Sequence, residues 1–241
     1  IRSAIELHPQ AQRPNLFIKI PGTREGIVAV EETIFAGVPV NVTLLFSREH
    51  YLAAASAYLR GIERRIDAGL DANVASVASL FISRWDVAVQ DKVPDELHCK
   101  LGIAIAQRTY KAYCELLTSR RWQKLASAGA RPQRLLWAST GTKDPAASDT
   151  LYLEALAATD TINTIPEKTL LAFAAHGELK SMMARDGAES EAQLARFSQS
   201  GIDINALAIQ LQRDGTAAFT KSWHDLLYRI GTKSAALTRT R

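Results

Sequence analysis

Short apolar segments alternate with helical patterns along this chain, and this alternation constrains the fold more than any other feature. Five segments are rich in branched apolar residues and have the length of β-strands. Helical spacing separates them, which is typical of repeated βα units and of a parallel sheet. The predicted strands are residues 16–20, 40–46, 77–83, 135–139 and 161–165. The sequence therefore predicts an α/β fold, followed by helices only after Pro166, where no strand pattern remains.

Cap residues and a turn glycine define the first two predicted βα units. Thr23 is expected to cap the helix after the first strand, and Ser47 the helix after the second. Gly69 should end that second helix, since glycine is favoured just past a helix carboxyl terminus. Farther along, a long helical region is predicted from about residue 95 to 128. A loop and a short helix should follow the fourth strand.

Composition excludes several classes of protein. The 241 residues are 47% hydrophobic and 22% charged, which is ordinary for a folded domain. No apolar run approaches the roughly 20 residues that cross a bilayer, and the amino terminus lacks a signal-peptide pattern. We therefore expect a cytoplasmic protein without a membrane partner. The 29 basic residues are scattered among 25 acidic ones, so the charge pattern does not favour a nucleic-acid partner.

Motifs for common metals and nucleotides are missing from the sequence. Cys99 and Cys114 have no CxxC spacing, and the five histidines have no HxxxH or HExxH spacing. Neither a GxGxxG motif nor a P-loop is present. The sequence thus predicts reduced thiols, no metal site and no nucleotide site.

Polar side chains interrupt one face of the predicted strands. Side chains alternate between the two faces of a strand, and helices must cover the aliphatic face. Leu16, Ile18 and Ile20 share that face, which leaves Lys19 on the inner side. The same count along the other strands adds Asn41, Thr43, Ser79, Phe81, Trp137, Ser139, Thr161 and Asn163 to the inner face. Barrel interiors are normally filled with branched apolar residues, so these polar groups predict a functional site.

Lys19 is the candidate nucleophile of this site. A buried lysine needs a partner, and burial disfavours its charged form. The neutral amine that results can attack a carbonyl and form a Schiff base. The alternative is a buried lysine that is simply paired with another side chain.

Three further residues could surround an anion. Arg84 comes just after the third predicted strand, Ser139 ends the fourth, and Lys143 follows in a glycine-containing loop. Loops at the carboxyl ends of barrel strands often bind phosphate, and these side chains supply suitable donors. Each residue also has a structural alternative. Arg84 could form a surface ion pair, Lys143 could be solvated, and Ser139 and Asn163 could cap helices or loops.

Longer stretches of the sequence resemble the transaldolase family. NLFIKIPGT at residues 15–23 and VNVTLLFS at residues 40–47 resemble two strands typical of that family. ASVASLFISR at residues 75–84 and LWASTGTK at residues 136–143 resemble its sixth and seventh strands, and TINTIPE at residues 161–167 resembles its eighth. The TGxK loop is similar to that of the bacterial branch. The resemblance extends from about residue 13 to about residue 230.

The resemblance implies a (β/α)8 TIM barrel of the class I aldolase type that uses no cofactor. It implies transfer of a dihydroxyacetone unit from sedoheptulose 7-phosphate or fructose 6-phosphate to glyceraldehyde 3-phosphate or erythrose 4-phosphate, in the pentose phosphate pathway. Lys19 would form the Schiff base, and Thr43 would position a water that transfers protons. The expected substrate-binding residues are Asn41, Ser79, Phe81, Arg84, Ser139 and Lys143.

The resemblance also implies a departure from the family pattern. If Lys19 lies on the fourth strand of the barrel, residues 1–241 supply the fourth to eighth strands and the carboxyl-terminal helices. They would form the carboxyl-terminal part of a single barrel domain. The family's catalytic aspartate and glutamate, on the first and third strands, would then have no counterpart here. A Schiff-base aldolase and an inactive fragment are the alternatives to a transaldolase, and the sequence does not predict an oligomeric state.

Overall fold

A five-stranded parallel sheet organises the chain in the computed structural model, which describes residues 1–239. The strands lie side by side in chain order, and every neighbouring pair is parallel. They are β1 (Ile18–Pro21), β2 (Val40–Leu45), β3 (Ser76–Phe81), β4 (Arg134–Ala138) and β5 (Ile162–Asn163). The predicted α/β class and parallel sheet are confirmed.

Ten α-helices are described within residues 1–239. They are α1 (Arg2–Ala11), α2 (Arg24–Phe35), α3 (Arg48–Asp67), α4 (Ser83–Val89), α5 (Leu101–Thr118), α6 (Arg120–Ser127), α7 (Leu151–Ala155), α8 (Glu167–His176), α9 (Ser190–Gln199) and α10 (Ile204–Arg239). Two short 3-10 turns, Gln90–Lys92 and Asp95–Leu97, precede α5. The sequence did not predict α1, and the long helical region it predicted is divided at Ser119, which caps α6. None of the described helices has both the length and the apolar character needed to cross a membrane.

The predicted caps are formed. The Thr23 hydroxyl accepts a hydrogen bond from the backbone N–H of Gly26 at 3.2 Å, and that of Ser47 accepts from His50 at 3.1 Å. Each cap satisfies an N–H group that the first turn of a helix leaves without a partner. Gly69 follows α3 with φ of 68°, as expected for a turn glycine. Local sequence therefore sets where α2 and α3 begin.

One side of the sheet packs against helices and forms the core. Parallel pairing places Val42 beside Ala78 and Leu80 beside Trp137, and all four side chains are inaccessible to solvent. Residues paired in neighbouring strands point to the same face. Val42, Ala78 and Leu80 therefore face the helices, as the alternation predicted, and Trp137 faces them as well. Beyond Val42 the register shifts so that Leu45 pairs with Leu80, which the alternation did not predict.

The prediction of which side chains of β4 and β5 lie on the inner face was wrong by one residue. Leu136 pairs with Ser79, so Leu136 shares the inner face, whereas Trp137 pairs with Leu80 on the helix side. Asn163 pairs with Trp137 and therefore leaves the inner face as well. The cause is at Ser139, where φ is 58° and the chain turns out of the strand. Because Ser139 does not continue the strand, its orientation does not indicate which face Trp137 occupies.

Thr161 was also predicted to lie on the inner face of the fifth strand. The structure places it just before β5, so strand alternation does not determine its orientation. Its hydroxyl donates a hydrogen bond to the Ala158 carbonyl at 2.9 Å, which is a local loop contact. The observed strand is only two residues long, and this short length explains the error.

Candidate active site

Lys19 and Asn41 lie opposite each other on neighbouring strands. The pairing of β1 with β2 sets this juxtaposition, and both side chains point away from the helix-covered face. Lys19 is exposed, which corrects the expectation that it is buried. Among the described residues, β1 is an edge strand and Lys19 lies on the face opposite the helix-covered one, so solvent reaches its side chain. The Nζ atom lies 5.8 Å from the centroid of the Phe219 ring on α10.

Asn41 is oriented by a hydrogen bond from the next strand. The Ser79 hydroxyl, which is buried, donates to Asn41 Oδ1 at 2.7 Å. Because Asn41 Oδ1 accepts this hydrogen bond, the NH2 group of the same side chain points away from Ser79. The NH2 group can then donate to a substrate oxygen. Lys19, Asn41 and Ser79 therefore form a row of polar groups across three strands.

Thr43 supplies a hydroxyl to the same part of the sheet. It lies two residues beyond Asn41, opposite Pro21, so it shares the inner face with Lys19. The side chain is buried, and Oγ1 makes no hydrogen bond to any of the residues that the structure describes. A buried hydroxyl without a protein partner is costly, and a water or a substrate oxygen would satisfy it.

The strand changes direction immediately after Thr43. The pairing of β2 with β3 shifts between Val42 and Leu45, and Leu44 has φ of 59°. This left-handed conformation is uncommon for a residue other than glycine. The irregularity interrupts the pairing of β2 with β3 next to the polar row, and such features are frequent near functional sites.

Arg84 lies against an aromatic side chain at the carboxyl end of β3. Its guanidinium carbon is 4.9 Å from the centroid of the Phe81 ring, which in turn lies 5.3 Å from the Phe46 ring. Stacking of this kind orients the guanidinium group and leaves its N–H donors available. The contact does not match the alternative of a surface ion pair, since no salt bridge involves Arg84 within the described residues.

Ser139 is attached to the start of α4, next to Arg84. The backbone N–H of Ser83 donates to the Ser139 carbonyl at 3.0 Å, and the two hydroxyls are 2.9 Å apart. Lys143 is exposed and follows in the same loop. The structure thus brings Arg84, Ser139 and Lys143 to the carboxyl ends of β3 and β4, and we refer to these three residues as the anion corner.

Asn163 lies in a loop network and not on the inner face. The Thr140 hydroxyl donates to Asn163 Oδ1 at 2.9 Å, next to Ser139. Asn163 therefore supports the loop backbone, in agreement with the structural alternative given for it. Residues 1–239 contain no group of three or more His, Cys, Asp or Glu side chains that could hold a metal ion.

Helix α10 contributes residues that the sequence did not reveal. Gln212 Nε2 donates to the carbonyl oxygens of Gly22 and Leu44, at 3.0 and 2.9 Å. These carbonyls follow β1 and lie in the irregular part of β2, so one amide group ties the helix to both strands. A Cβ atom on Gly215 would lie 2.8 Å from Leu44 and 3.2 Å from Arg84, so glycine permits this close approach. No motif marks these residues, and Gln212 is 190 and 168 positions from the two residues whose carbonyls it bonds.

His50 lies beside the Gln212 side chain. Its Nδ1 accepts a hydrogen bond from the Phe46 backbone N–H at 3.3 Å. Burial lowers the pKa of His50, although the nearby Glu49 carboxylate opposes this shift. The ring is therefore neutral near pH 7, which is the state that can accept a hydrogen bond at Nδ1.

The geometry suits a substrate with two different ends. An amine, an amide and a hydroxyl lie across β1 to β3, and a guanidinium, a hydroxyl and an ammonium lie at the ends of β3 and β4. An amine can form a Schiff base with a carbonyl group, and the anion corner offers donors to a phosphate. A phosphorylated carbonyl compound would use both.

The sequence is similar to known proteins along most of its length. The family model described as "Transaldolase/Fructose-6-phosphate aldolase" matches residues 1–230. Among similar curated proteins, "Transaldolase" of Frankia alni is 44% identical over 227 residues, which cover 90% of this chain and 61% of that protein. "Transaldolase" of Saccharopolyspora erythraea is 42% identical, over 95% of this chain and 65% of its own length. That of Neisseria gonorrhoeae is 42% identical, over 94% and 65%.

Each match covers a larger share of this chain than of the relative. Nearly all of this chain is covered, whereas the chain spans less than two thirds of the length of each of these relatives. The family match itself covers 230 of 241 residues, including every residue of the candidate site. This chain belongs to the Transaldolase/Fructose-6-phosphate aldolase family.

Proposed function

We propose that this protein is a transaldolase that acts through a Schiff base on Lys19. Its substrates would be a ketose phosphate as donor and an aldose phosphate as acceptor. The observation that carries the proposal is the row formed by Lys19, Asn41 and Ser79, in which an accessible amine lies opposite an oriented amide. The names of the relatives and the anion corner add support.

The proposed reaction starts when the Lys19 amine attacks the ketose carbonyl. Loss of water then gives an iminium ion, which attracts electrons from the neighbouring bond. The C3–C4 bond breaks, its electron pair moves toward the iminium nitrogen, and the C4 hydroxyl loses its proton. An aldose phosphate leaves, and the dihydroxyacetone unit stays bound as an enamine. Addition of this enamine to a second aldose phosphate, followed by hydrolysis, releases the new ketose phosphate and the free lysine.

The other residues of the site have separate proposed roles. The NH2 group of Asn41 and the Ser79 hydroxyl would bind oxygens of the dihydroxyacetone unit. Thr43 would hold the water that carries the C4 proton, a role that suits its buried hydroxyl without a protein partner. Phe81 would line the pocket and orient Arg84. The anion corner, Arg84, Ser139 and Lys143, would bind the phosphate group of the sugar.

We also propose that β1 to β5 correspond to the fourth to eighth strands of a (β/α)8 barrel. The parallel pairing in chain order and the position of Lys19 on β1 support this correspondence. It leaves the family's catalytic aspartate and glutamate without a position in residues 1–241. Those two groups would provide the acid, the base and the water-binding carboxylate that the row on β1 to β3 does not contain.

An aldolase is the second candidate, because the description of the matching family names both activities. Both reactions share the Schiff base and differ in what happens to the enamine. A transaldolase keeps the enamine for an acceptor, whereas an aldolase protonates it and releases free dihydroxyacetone.

One assay separates the two candidates. The natural full-length protein is incubated with fructose 6-phosphate, with and without erythrose 4-phosphate. A transaldolase forms sedoheptulose 7-phosphate and glyceraldehyde 3-phosphate only with the acceptor, and it releases no free dihydroxyacetone. Dihydroxyacetone formed without the acceptor identifies an aldolase. Absence of both products contradicts both candidates.

A further inference from the structure

A buried carboxyl group lies directly beneath the anion corner. Asp86 is on α4, two residues after Arg84, and it is 6% exposed. Its Oδ1 accepts from the backbone N–H groups of Leu101 and Gly102 at 2.9 and 3.2 Å, and its Oδ2 accepts from the Tyr152 hydroxyl at 2.6 Å. Burying a carboxylate is costly unless such donors surround it. This arrangement therefore requires an explanation beyond ordinary packing.

The donors come from two separate parts of the chain. Leu101 and Gly102 form the start of α5, whereas Tyr152 is on α7, which begins where the loop with Lys143 ends. Asp86 thus connects the helix that carries Arg84 to the far end of that loop. Gly102 permits the contact, because a Cβ atom there would lie 2.7 Å from Asp86 Oδ2.

A second contact attaches the amino-terminal end of the loop that holds Ser139 and Lys143. Ser83 bonds Ser139 through both its backbone N–H and its hydroxyl, as described above. The loop that holds Ser139 and Lys143 is therefore fastened to α4 at both of its ends. Arg84 lies on α4 between the two points of attachment, at Ser83 and Asp86.

The space between these groups is too small for a substrate. Ser83, Asp86, Lys143, Asp144 and Tyr152 are among the residues that line a cavity of about 10 Å³. Such a volume holds no more than about one water molecule. The cluster is therefore a support beneath the anion corner and does not itself bind the sugar.

Tyr152 is the donor in its hydrogen bond with Asp86. Burial raises the pKa of the Tyr152 phenol far above its usual value, with the Asp86 carboxylate adding to the shift, so the hydroxyl keeps its proton and donates. Burial also raises the pKa of Asp86, while the bonds from Tyr152, Gly102 and Leu101 act in the opposite direction.

We propose that Asp86 and Tyr152 are positioning residues that hold Arg84 and the 139–143 loop at the spacing needed to bind phosphate. This inference rests on the proposed function only through the anion corner. Neither side chain contacts the substrate, and the effect passes through α4 and the loop. Loss of the hydrogen bond between Tyr152 and Asp86 should therefore weaken phosphate binding more than it slows the chemistry at Lys19.

The test compares two buried tyrosines in the natural full-length protein. Tyr152→Phe removes the hydroxyl that bonds Asp86. Tyr113→Phe removes the hydroxyl of an equally buried tyrosine on α5, which donates to the Asp160 carbonyl at 2.9 Å, away from the anion corner. Binding of inorganic phosphate is measured by calorimetry at constant ionic strength, and thermal unfolding is measured for each protein. Asp86→Asn serves as a second variant that keeps the size of the side chain.

Tyr152→Phe is expected to weaken phosphate binding by about five- to tenfold, part of what loss of a hydrogen bond to a charged group can cost. Asp86→Asn should act in the same direction, and the double variant should add little, because the two residues act as a unit. Tyr113→Phe should leave phosphate binding unchanged while it lowers thermal stability by a comparable amount. In steady-state assays, Tyr152→Phe should raise KM for the ketose phosphate and leave kcat nearly unchanged.

Other results overturn the inference. If Tyr152→Phe and Tyr113→Phe change phosphate binding equally, or neither changes it, the tie has only a structural role. If the wild-type protein binds no phosphate, the anion corner is not a phosphate site and the inference fails with it, whereas the Schiff base on Lys19 stays testable. If phosphate binding responds as expected but no transfer activity exists, the inference stands and the proposed function is wrong.

Discussion

The two ends of the proposed site are held in place by different interactions. At the Lys19 end, strand pairing places Lys19, Asn41 and Thr43 on one face, and a single glutamine from α10 crosses the strands. At the anion corner, side chains that are distant in sequence fasten a helix and a loop to each other around buried Asp86. The difference teaches that backbone pairing positions the proposed nucleophile, whereas long-range side-chain contacts position the proposed phosphate ligands. Substitutions at the two ends should therefore change different kinetic constants.

The largest effect is expected from removal of the amine. Lys19→Met should lower kcat by about 1,000-fold or more, because no other group supplies the covalent nucleophile. The unfolding free energy should change little, since the Lys19 side chain forms no hydrogen bond or ion pair with a described residue and methionine keeps a side chain of similar length. Steady-state kinetics and urea unfolding measure the two quantities. Lys92→Met, at another exposed lysine, is the control that should change neither.

Arg84→Ala tests the opposite end of the site. It should raise KM for the sugar phosphate by about 10- to 100-fold, as expected for loss of a charged hydrogen bond, with a much smaller change in kcat. Arg134→Ala is the matched control, because Arg134 is exposed at the start of β4, at the opposite end of that strand. If Arg84→Ala instead lowers kcat and leaves KM unchanged, the assignment of the anion corner to phosphate binding is wrong.

Gln212→Ala examines how α10 is attached at the Lys19 end. The change leaves the carbonyl oxygens of Gly22 and Leu44 without their side-chain donor, which should lower the unfolding free energy by about 1–2 kcal/mol. Urea unfolding followed by circular dichroism measures this loss. Gln210→Ala provides the comparison, since Gln210 is exposed on the same helix and its amide donates to Asp214, one turn farther along that helix, at 2.7 Å. Equal losses in the two variants would contradict a specific role for Gln212.

The smallest effect is expected from pH. Because the pKa of His50 is lower in the folded protein, the unfolded state binds the extra proton as pH falls below about 6.5. Stability from this residue is therefore present above that pH and is lost as pH falls. His50→Asn should flatten the pH dependence of the unfolding free energy in that window, by at most about 1.4 kcal/mol per pH unit. An unchanged profile between pH 6.5 and 5 would show that His50 does not contribute.

Local sequence signals predicted much of the structure around Lys19. The caps at Thr23 and Ser47 and the alternation in β1 and β2 act over a few residues, so they can be identified without knowledge of the tertiary structure. The exposure of Lys19 could not be predicted in this way. It depends on what lies beside the edge strand β1, which is a tertiary property.

The anion corner was predictable only in part. Arg84, Ser139 and Lys143 follow strand ends, and that position alone suggested them. The orientation of Trp137 and Asn163 was wrong because a left-handed residue at Ser139 ends the alternation. The Asp86–Tyr152 tie had no sequence signal at all, since its residues are 66 positions apart and belong to no motif.

Trapping with borohydride tests the central claim most directly. The natural full-length protein is incubated with fructose 6-phosphate, reduced with sodium borohydride, digested and examined by mass spectrometry. A Schiff base on Lys19 predicts that the peptide containing residue 19 gains the mass of the reduced dihydroxyacetone unit or of the whole sugar. No such adduct should form on Lys143, and Lys19→Met should abolish the modification. An adduct on another lysine, or no adduct in an active preparation, would contradict the role assigned to Lys19.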